Sequence, residues 1–118
     1  MRTFASLRGR REFTLVIRRG RSSRSGTLTV FGYAPRQDRT GGTKLGVIIP
    51  KTVGKAVVRN RLRRRCRAIV DGAALGQPFE WYVIQCRPGA ARLTYEELKT
   101  QLISVLRAAR ARNPRRST

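Results

Sequence analysis

Residues 44–67 read KLGVIIPKTVGKAVVRNRLRRRCR, a strongly apolar segment followed at once by a basic helical pattern. The segment LGVIIP at 45–50 predicts a buried strand, and residues 55–71 predict a helix because their apolar side chains recur on one stripe. That stripe consists of Val58, Leu62, Cys66 and Ile69. A buried strand that leads into a one-sided helix favours a fold in which helices pack on a β-sheet.

The flanking sequence predicts further elements on both sides of this segment. They are a helix over 10–19, strands over 27–33 and 81–86, and a helix over 95–111. Thr94 and Glu97 are spaced as a capping box at the start of the last helix. The polar residues 21–26 predict a loop, with a further short strand there as the alternative. Residues 34–43 predict a hairpin connection into 45–50, which is the candidate central strand.

The chain of 118 residues is long enough for one compact domain with one modest core. We expect a single domain over 1–118, with an N-terminal arm over 1–9 and a basic C-terminal tail over 112–118. The order helix, strand, strand, helix, strand, helix favours an α/β sandwich in which helices cover one sheet.

The composition is strongly basic, since 27 Lys and Arg residues face 6 Asp and Glu residues and give a net charge of +21. Because like charges repel in the free protein, this excess predicts a polyanionic partner, with nucleic acid ahead of an anionic membrane. No apolar run approaches the ~20 residues that cross a bilayer, and the N-terminus lacks the apolar stretch of a secretion signal. We therefore expect a cytoplasmic protein without a membrane partner.

Groups that could carry out catalysis are scarce. The sequence contains no histidine, so the commonest general base and metal ligand is missing. Its six carboxylates are scattered, whereas a two-metal phosphodiesterase brings several onto ions ~4 Å apart. Cys66 and Cys86 form no CxxC pair and predict reduced, partly buried thiols. The sequence thus predicts no catalytic residue and no metal site in the protein, so that metal ions for phosphodiester cleavage would be held mainly by a partner.

The stretch from Arg59 to Arg67 is the most informative, because six of its nine residues are arginine. A helical projection places Arg59, Asn60, Arg63, Arg64 and Arg67 opposite the apolar stripe, with Arg61 and Arg65 flanking it. Arginines four residues apart destabilise an isolated helix, and guanidinium groups form bidentate hydrogen bonds with phosphate. The pattern predicts an RNA-binding face, and the alternative is a merely solvated basic face.

Apolar side chains on two elements form a second candidate site. Phe13 and Ile17 lie on one face of the predicted helix 10–19, and Phe31 and Tyr33 lie on the outer face of the strand 27–33. Single-stranded RNA binds such platforms by base stacking. For Phe13 and Ile17, an ordinary core position is an equally weighted alternative.

Residues 44–67 closely resemble the signature region of the bacterial ribonuclease P protein family. The resemblance extends to REF at 11–13, RRG at 18–20 and RPGAARLTYEELKTQL at 87–102. It implies an α+β sandwich with a mixed sheet and a left-handed βαβ crossover. It also implies that the protein is part of a ribonucleoprotein endoribonuclease, whose catalytic RNA holds Mg²⁺ and removes the 5′ leader of precursor tRNA. No obligate protein partner is expected.

The resemblance also assigns roles to individual residues. Binding of the RNA subunit falls on Arg59, Asn60, Arg61, Arg63, Arg64 and Arg67. Binding of the 5′ leader falls on Phe13, Ile17, Phe31, Val47 and Lys51. The sequence departs from the family at Ile17, where an aromatic residue is frequent, and at Thr52, where a second basic residue is common. The alternatives are a ribosomal protein or RNA chaperone without a catalytic complex, and an architectural DNA-binding protein.

Overall fold

The computed structural model describes residues 5–34, 43–73 and 80–111. In chain order the elements are β1 (Ala5–Ser6), α1 (Gly9–Arg19), β2 (Arg21–Ser25), β3 (Leu28–Tyr33), β4 (Lys44–Ile48), α2 (Ala56–Ala73), β5 (Trp81–Cys86) and α3 (Tyr95–Ala111). Short 3-10 turns at Lys51–Val53 and Pro88–Arg92 precede α2 and α3. Every predicted helix and strand is present, and residues 21–25 form the strand that was the alternative to a loop. The predicted tail at 112–118 lies outside the described residues.

The five strands form one mixed sheet in the order β1-β4-β5-β3-β2. β4 is parallel to β1 and β5, whereas β3 is antiparallel to β5 and β2. The predicted α+β fold with one mixed sheet is confirmed, and β4, α2 and β5 form the expected βαβ unit. The left hand of that crossover stays a prediction.

The predicted hairpin between β3 and β4 is wrong, because β5 lies between these two strands and pairs with both. The central strand is therefore β5 rather than β4. The physical reason lies in side-chain coverage: five of the six residues of β5 are buried, so this strand needs a covering layer on each face. β4 instead pairs on its outer side with only two residues of β1.

The main core lies between the sheet and the two helices α2 and α3. The predicted stripe of α2 is confirmed, since Leu62, Cys66 and Ile69 are buried and Val58 is half-buried. All five predicted core residues of α3 are buried as well, namely Leu98, Leu102, Val105, Leu106 and Ala109. The capping box is also present, with reciprocal hydrogen bonds between Thr94 and Glu97. Cys66 and Cys86 are free thiols inside this core, more deeply buried than predicted.

The opposite face of the sheet is covered by α1, which makes the molecule three-layered. Val16 of α1 is fully buried against Trp81 and Val83 of β5. Phe31 and Tyr33 also pack here, so β3 is covered on both faces rather than on one as the alternating pattern predicted. Residues 5–7 of the predicted arm belong to this fold, because β1 pairs with β4 and Leu7 is buried.

A close approach between α1 and β4 depends on Gly46. A methyl group on this residue would overlap Cε2 and Cζ of Phe13, whose ring lies directly on the backbone of β4. We expect Gly46→Ala to lower the free energy of unfolding by about 1–3 kcal/mol, because the Phe13 ring must move out of a packed layer. Chemical denaturation measures this change. Phe13→Leu should relieve part of the clash, so the double variant should lose less than the sum of the single losses. An unchanged stability of the Gly46→Ala protein would contradict this packing.

Candidate nucleic-acid interface

The outward side of α2 is a stripe of five exposed residues, which we call the arginine face. It consists of Val57, Asn60, Arg61, Arg64 and Ala68. Arg61 is exposed and belongs to this side of the helix, at its border with Arg65, although the helical projection placed it at the flank of the apolar stripe. Val70 is buried together with Cys66 and Ile69. The buried side of α2 is therefore centred nearer to Val70 than the helical projection predicted, and the exposed side opposite it is shifted in the same sense.

Three further arginines of α2 line one border of the arginine face and are only partly exposed. The Arg59 Nε–H donates a hydrogen bond to the Gly54 carbonyl over 3.0 Å, and Arg63 donates to the Asn60 side chain over 3.2 Å. Arg67 donates to the Ser6 hydroxyl over 3.3 Å. These contacts hold the three guanidinium groups in place at the border of the arginine face.

The other border of the arginine face meets α3. The guanidinium carbon of Arg65 lies 6.0 Å from the ring centre of Tyr95, which is within reach of a cation–π interaction. Among the described residues, the large apolar side chains that are exposed are Tyr95 and Val57, and Val57 is 77% exposed. Apolar atoms among guanidinium groups suit contact with ribose and base faces. Val57 was missed at the sequence level because we considered only charge on this side of the helix.

The second surface lies on the α1 side of the sheet and is called the stacking face. It is formed by Phe13, Ile17, Phe31 and Ile48, all partly exposed and packed on the cluster around Val16. The sequence predicted the first three of these residues. The core alternative for Phe13 and Ile17 also holds in part, because both side chains pack on buried neighbours while keeping some exposed surface.

Val47, which was predicted with this site, does not lie on the stacking face. It is 8% exposed and belongs to the core beneath α2 and α3, so the assignment of leader contact to Val47 is corrected. Side chains alternate along a strand, and Ile48 is the neighbour that points towards α1. Lys51 is exposed in the turn that follows β4.

Arg87 adds a cation at the margin of the stacking face. Its guanidinium donates to the Thr29 hydroxyl over 3.0 Å, and Thr29 shares a strand face with Phe31 because the two are two residues apart on β3. Arg87 begins the segment 87–102 in which the sequence resembles the family, but the resemblance assigned it no role.

A charged contact fixes the start of α1 to the sheet. Lys44 Nζ lies 3.2 Å from Glu12 Oε2 and 4.6 Å from the ring centre of Trp81. The Arg8 backbone N–H also donates to Glu12, over 2.6 Å. Burial raises the pKa of Glu12, but the hydrogen bonds from Arg8 and Lys44 outweigh it and leave the pKa below its ordinary value.

Within 5–34, 43–73 and 80–111, no three His, Cys, Asp or Glu side chains are grouped so that they could share a metal ion. No helix in the same ranges combines the length and apolarity needed to span a bilayer. The fold and the two surfaces together define a basic α+β protein built to bind RNA.

Comparison with known proteins identifies the family. The family model for Ribonuclease P matches residues 1–110. The ribonuclease P protein component of Thermobifida fusca is 37% identical over 86% of this chain and 74% of its own length, and that of Bacillus cereus is 34% identical over 81% and 83%. The RNase P protein of Staphylococcus aureus has the same fold, with a TM-score of 0.81 at 20% identity over 92% of this chain and 97% of its own.

The chain therefore belongs to the ribonuclease P protein family. Its predicted place as the protein part of the ribonuclease P endoribonuclease, with a role in tRNA processing, is confirmed by the same matches. A structure of the Thermotoga maritima RNase P protein agrees in fold, with a TM-score of 0.73 at 24% identity over 87% of this chain and 96% of its own.

The lowered pKa of Glu12 predicts a specific dependence of stability on pH. A carboxylate with a depressed folded-state pKa stabilises the protein above its unfolded pKa, near 4.5, and this stabilisation is lost as the pH falls through the folded pKa. Glu12→Gln should thus lower stability at neutral pH by less than about 1 kcal/mol, because the pair of Glu12 and Lys44 is partly solvated. The variant should also lose less stability than the parent on acidification, so that the acid limb of its plot of stability against pH is flatter. Thermal unfolding followed across pH measures both. If the acid limbs of the variant and the parent run parallel, the role of Glu12 is refuted.

Proposed function

We propose that this chain docks on the catalytic RNA through the arginine face of α2 and holds the 5′ leader of precursor tRNA on the stacking face. Association with ribonuclease P RNA follows from the family. The assignment of the catalytic RNA to the arginine face and of the leader to the stacking face goes beyond the family match. For the arginine face, it rests on the position of the exposed cations of α2 opposite the buried side of the helix.

The observation that carries the proposal is the state of Arg61 and Arg64. Both are exposed, and neither makes a hydrogen bond or ion pair with another residue of the described chain. They lie on a helix whose other side packs in the main core, so their positive charges are kept close together. The repulsion between these charges lowers the stability of the free protein. Phosphate groups would offset that cost, and arginine matches phosphate geometrically.

The proposed role of the protein in the reaction is electrostatic. We expect Mg²⁺ to be held mainly by the RNA subunit, where it would activate the attacking water and stabilise the departing oxygen. The scattered carboxylates of this chain support that division. The cations of the protein reduce repulsion between the two RNA molecules and so raise affinity for the substrate.

The proposal for the leader depends on the shape and chemistry of the stacking face. Phe13 and Phe31 offer partly exposed rings, Ile17 and Ile48 extend the apolar floor, and Arg87 stands at its margin. Stacking on aromatic rings contributes about 1–3 kcal/mol per base and tolerates any sequence. Such tolerance suits a leader whose sequence differs from one precursor to the next.

The docking role is tested by the double variant Arg61→Ala/Arg64→Ala. We expect it to bind a bacterial ribonuclease P RNA about tenfold or more weakly, and the slope of log affinity against log salt to fall by about 1.5, because two phosphate contacts are lost. Filter binding at several salt concentrations measures both quantities.

The matched control for this test is Lys99→Ala/Arg107→Ala, which removes the same charge from the exposed side of α3. It should change the affinity much less than the α2 variant does. Equal losses in the two variants would mean that bulk charge, not the arginine face, binds the RNA. Reconstituted cleavage of precursor tRNA at low Mg²⁺ with the unmodified protein provides the accompanying test of function.

The leader role is tested by Phe31→Leu, which keeps the apolar volume of the packed layer but removes the ring. The reconstituted complex should bind precursor tRNA with a single-stranded leader about 5–100-fold more weakly, as expected for the loss of one stacked base. Its affinity for mature tRNA should not change. An equal loss for both tRNAs would contradict leader stacking at Phe31.

A further inference from the structure

A groove lies along α1, on the flank away from Phe13 and Ile17. Its volume is about 910 Å³, and Leu15 and Trp81 contribute to its apolar part while four arginines stand along it: Arg10, Arg11, Arg18 and Arg19. On a helix of 3.6 residues per turn, Arg11, Leu15 and Arg19 share one flank. The groove is therefore separate from the stacking face.

The arginines along this groove are unpaired. All four are exposed, and none makes a hydrogen bond or ion pair within the described part of the chain. Glu12 is the acidic residue of the lining, and its carboxylate is already engaged by Lys44 and the Arg8 backbone. The groove thus carries a net positive charge that its own acid does not neutralise.

The position of two of these arginines is unfavourable for α1 itself. Arg10 and Arg11 lie in the first turn of the helix, where the macrodipole favours acidic residues and disfavours cations. Arg18 and Arg19 lie in the last turn, where cations are favourable, so helix stability accounts for those two but not for the first pair. An anion bound in the groove would offset the unfavourable placement of Arg10 and Arg11 in the free protein.

Trp81 supplies a second, independent observation. The residue is 5% exposed, and its indole N–H donates no hydrogen bond to any of the residues that the structure describes. A buried N–H without an acceptor is unfavourable by about 1–3 kcal/mol. Because Trp81 lines the groove, an oxygen atom of a ligand bound there is the acceptor that this N–H lacks.

We propose that this groove binds the phosphodiester backbone of a second RNA segment. The four guanidinium groups would contact phosphates, and the Trp81 N–H would donate to a backbone oxygen. The apolar part of the groove offers no exposed ring for stacking, so the contact should be independent of sequence. This inference rests on the proposed function only in taking RNA as the partner. It adds a third RNA contact, on the flank of α1 that lies away from the stacking face.

The test compares Arg11→Ala/Arg19→Ala with the equal-charge control Lys99→Ala/Arg107→Ala. The groove variant should bind one of two RNAs, isolated ribonuclease P RNA or precursor tRNA, about tenfold more weakly. The slope of log affinity against log salt should fall by about 1.5, while the thermal stability of the variant stays unchanged. Loss of affinity for isolated ribonuclease P RNA would identify the catalytic RNA as the source of the segment. Loss only when the reconstituted complex binds precursor tRNA would identify the substrate.

Several results would overturn the proposal. It fails if the groove variant retains full affinity for both RNAs, or if the control variant loses as much. Because Trp81 is the only tryptophan of the chain, its fluorescence offers a direct reading: oligouridylate should change the emission of the unmodified protein and do so more weakly in the groove variant. An emission that does not respond also counts against the groove. Failure of Arg61→Ala/Arg64→Ala to weaken RNA binding would instead overturn the proposed function.

Discussion

β5 packs on both of its faces, and the remaining layers are arranged around that constraint. Tyr82, Ile84 and Cys86 face the core beneath α2 and α3, whereas Trp81 and Val83 face α1. A strand of this kind has to lie inside the sheet with a helix on each side. Burial of its side chains contributes roughly 1.5–3 kcal/mol each to the stability of the fold. This contribution offsets the repulsion between surface cations in a chain with a net charge of +21.

The same arrangement explains why the cations can be unpaired. α1 and α2 are each held to the sheet by apolar side chains on one side only, so their outer sides contribute little to folding. Arginines can collect there without disturbing the core, and the energetic cost is confined to repulsion at the surface. The fold therefore separates residues that maintain structure from residues that form the proposed RNA-binding surfaces. Gly46 and Phe13 are an exception, since the ring that lines the stacking face is also packed on the backbone of β4.

Local periodicity was sufficient to predict the helices, including the buried stripes of α2 and α3, because a helix buries side chains at a spacing that is visible within one segment. It could not predict which strands are neighbours. The hairpin expected between β3 and β4 is replaced by pairing of each with β5. The paired residues are 37 positions apart for β4 and 48–58 positions apart for β3, so the pairing depends on where α2 returns the chain. The misplacement of Val47 has a simpler origin: the strand belongs to a continuous apolar run, LGVIIP, so the sequence itself does not show which of its side chains face α1.

Surfaces were predictable to the extent that they lie within one element. The arginines of α2 are concentrated in residues 59–67 of one predicted helix, so the sequence was sufficient to predict a basic outer side. Only the rotation of the helix had to be corrected, from the burial of Val70. The groove along α1 combines Leu15 and four arginines with Trp81, which lies more than 60 positions further along the chain. No pattern in either segment indicates the other, because the groove exists only once α1 lies across the strand that Trp81 begins. For a basic protein of this kind, the charge within one helix is sufficient to predict that RNA binds. The number of RNA segments that the protein contacts depends instead on how many charged helix surfaces lie at separate positions on the sheet.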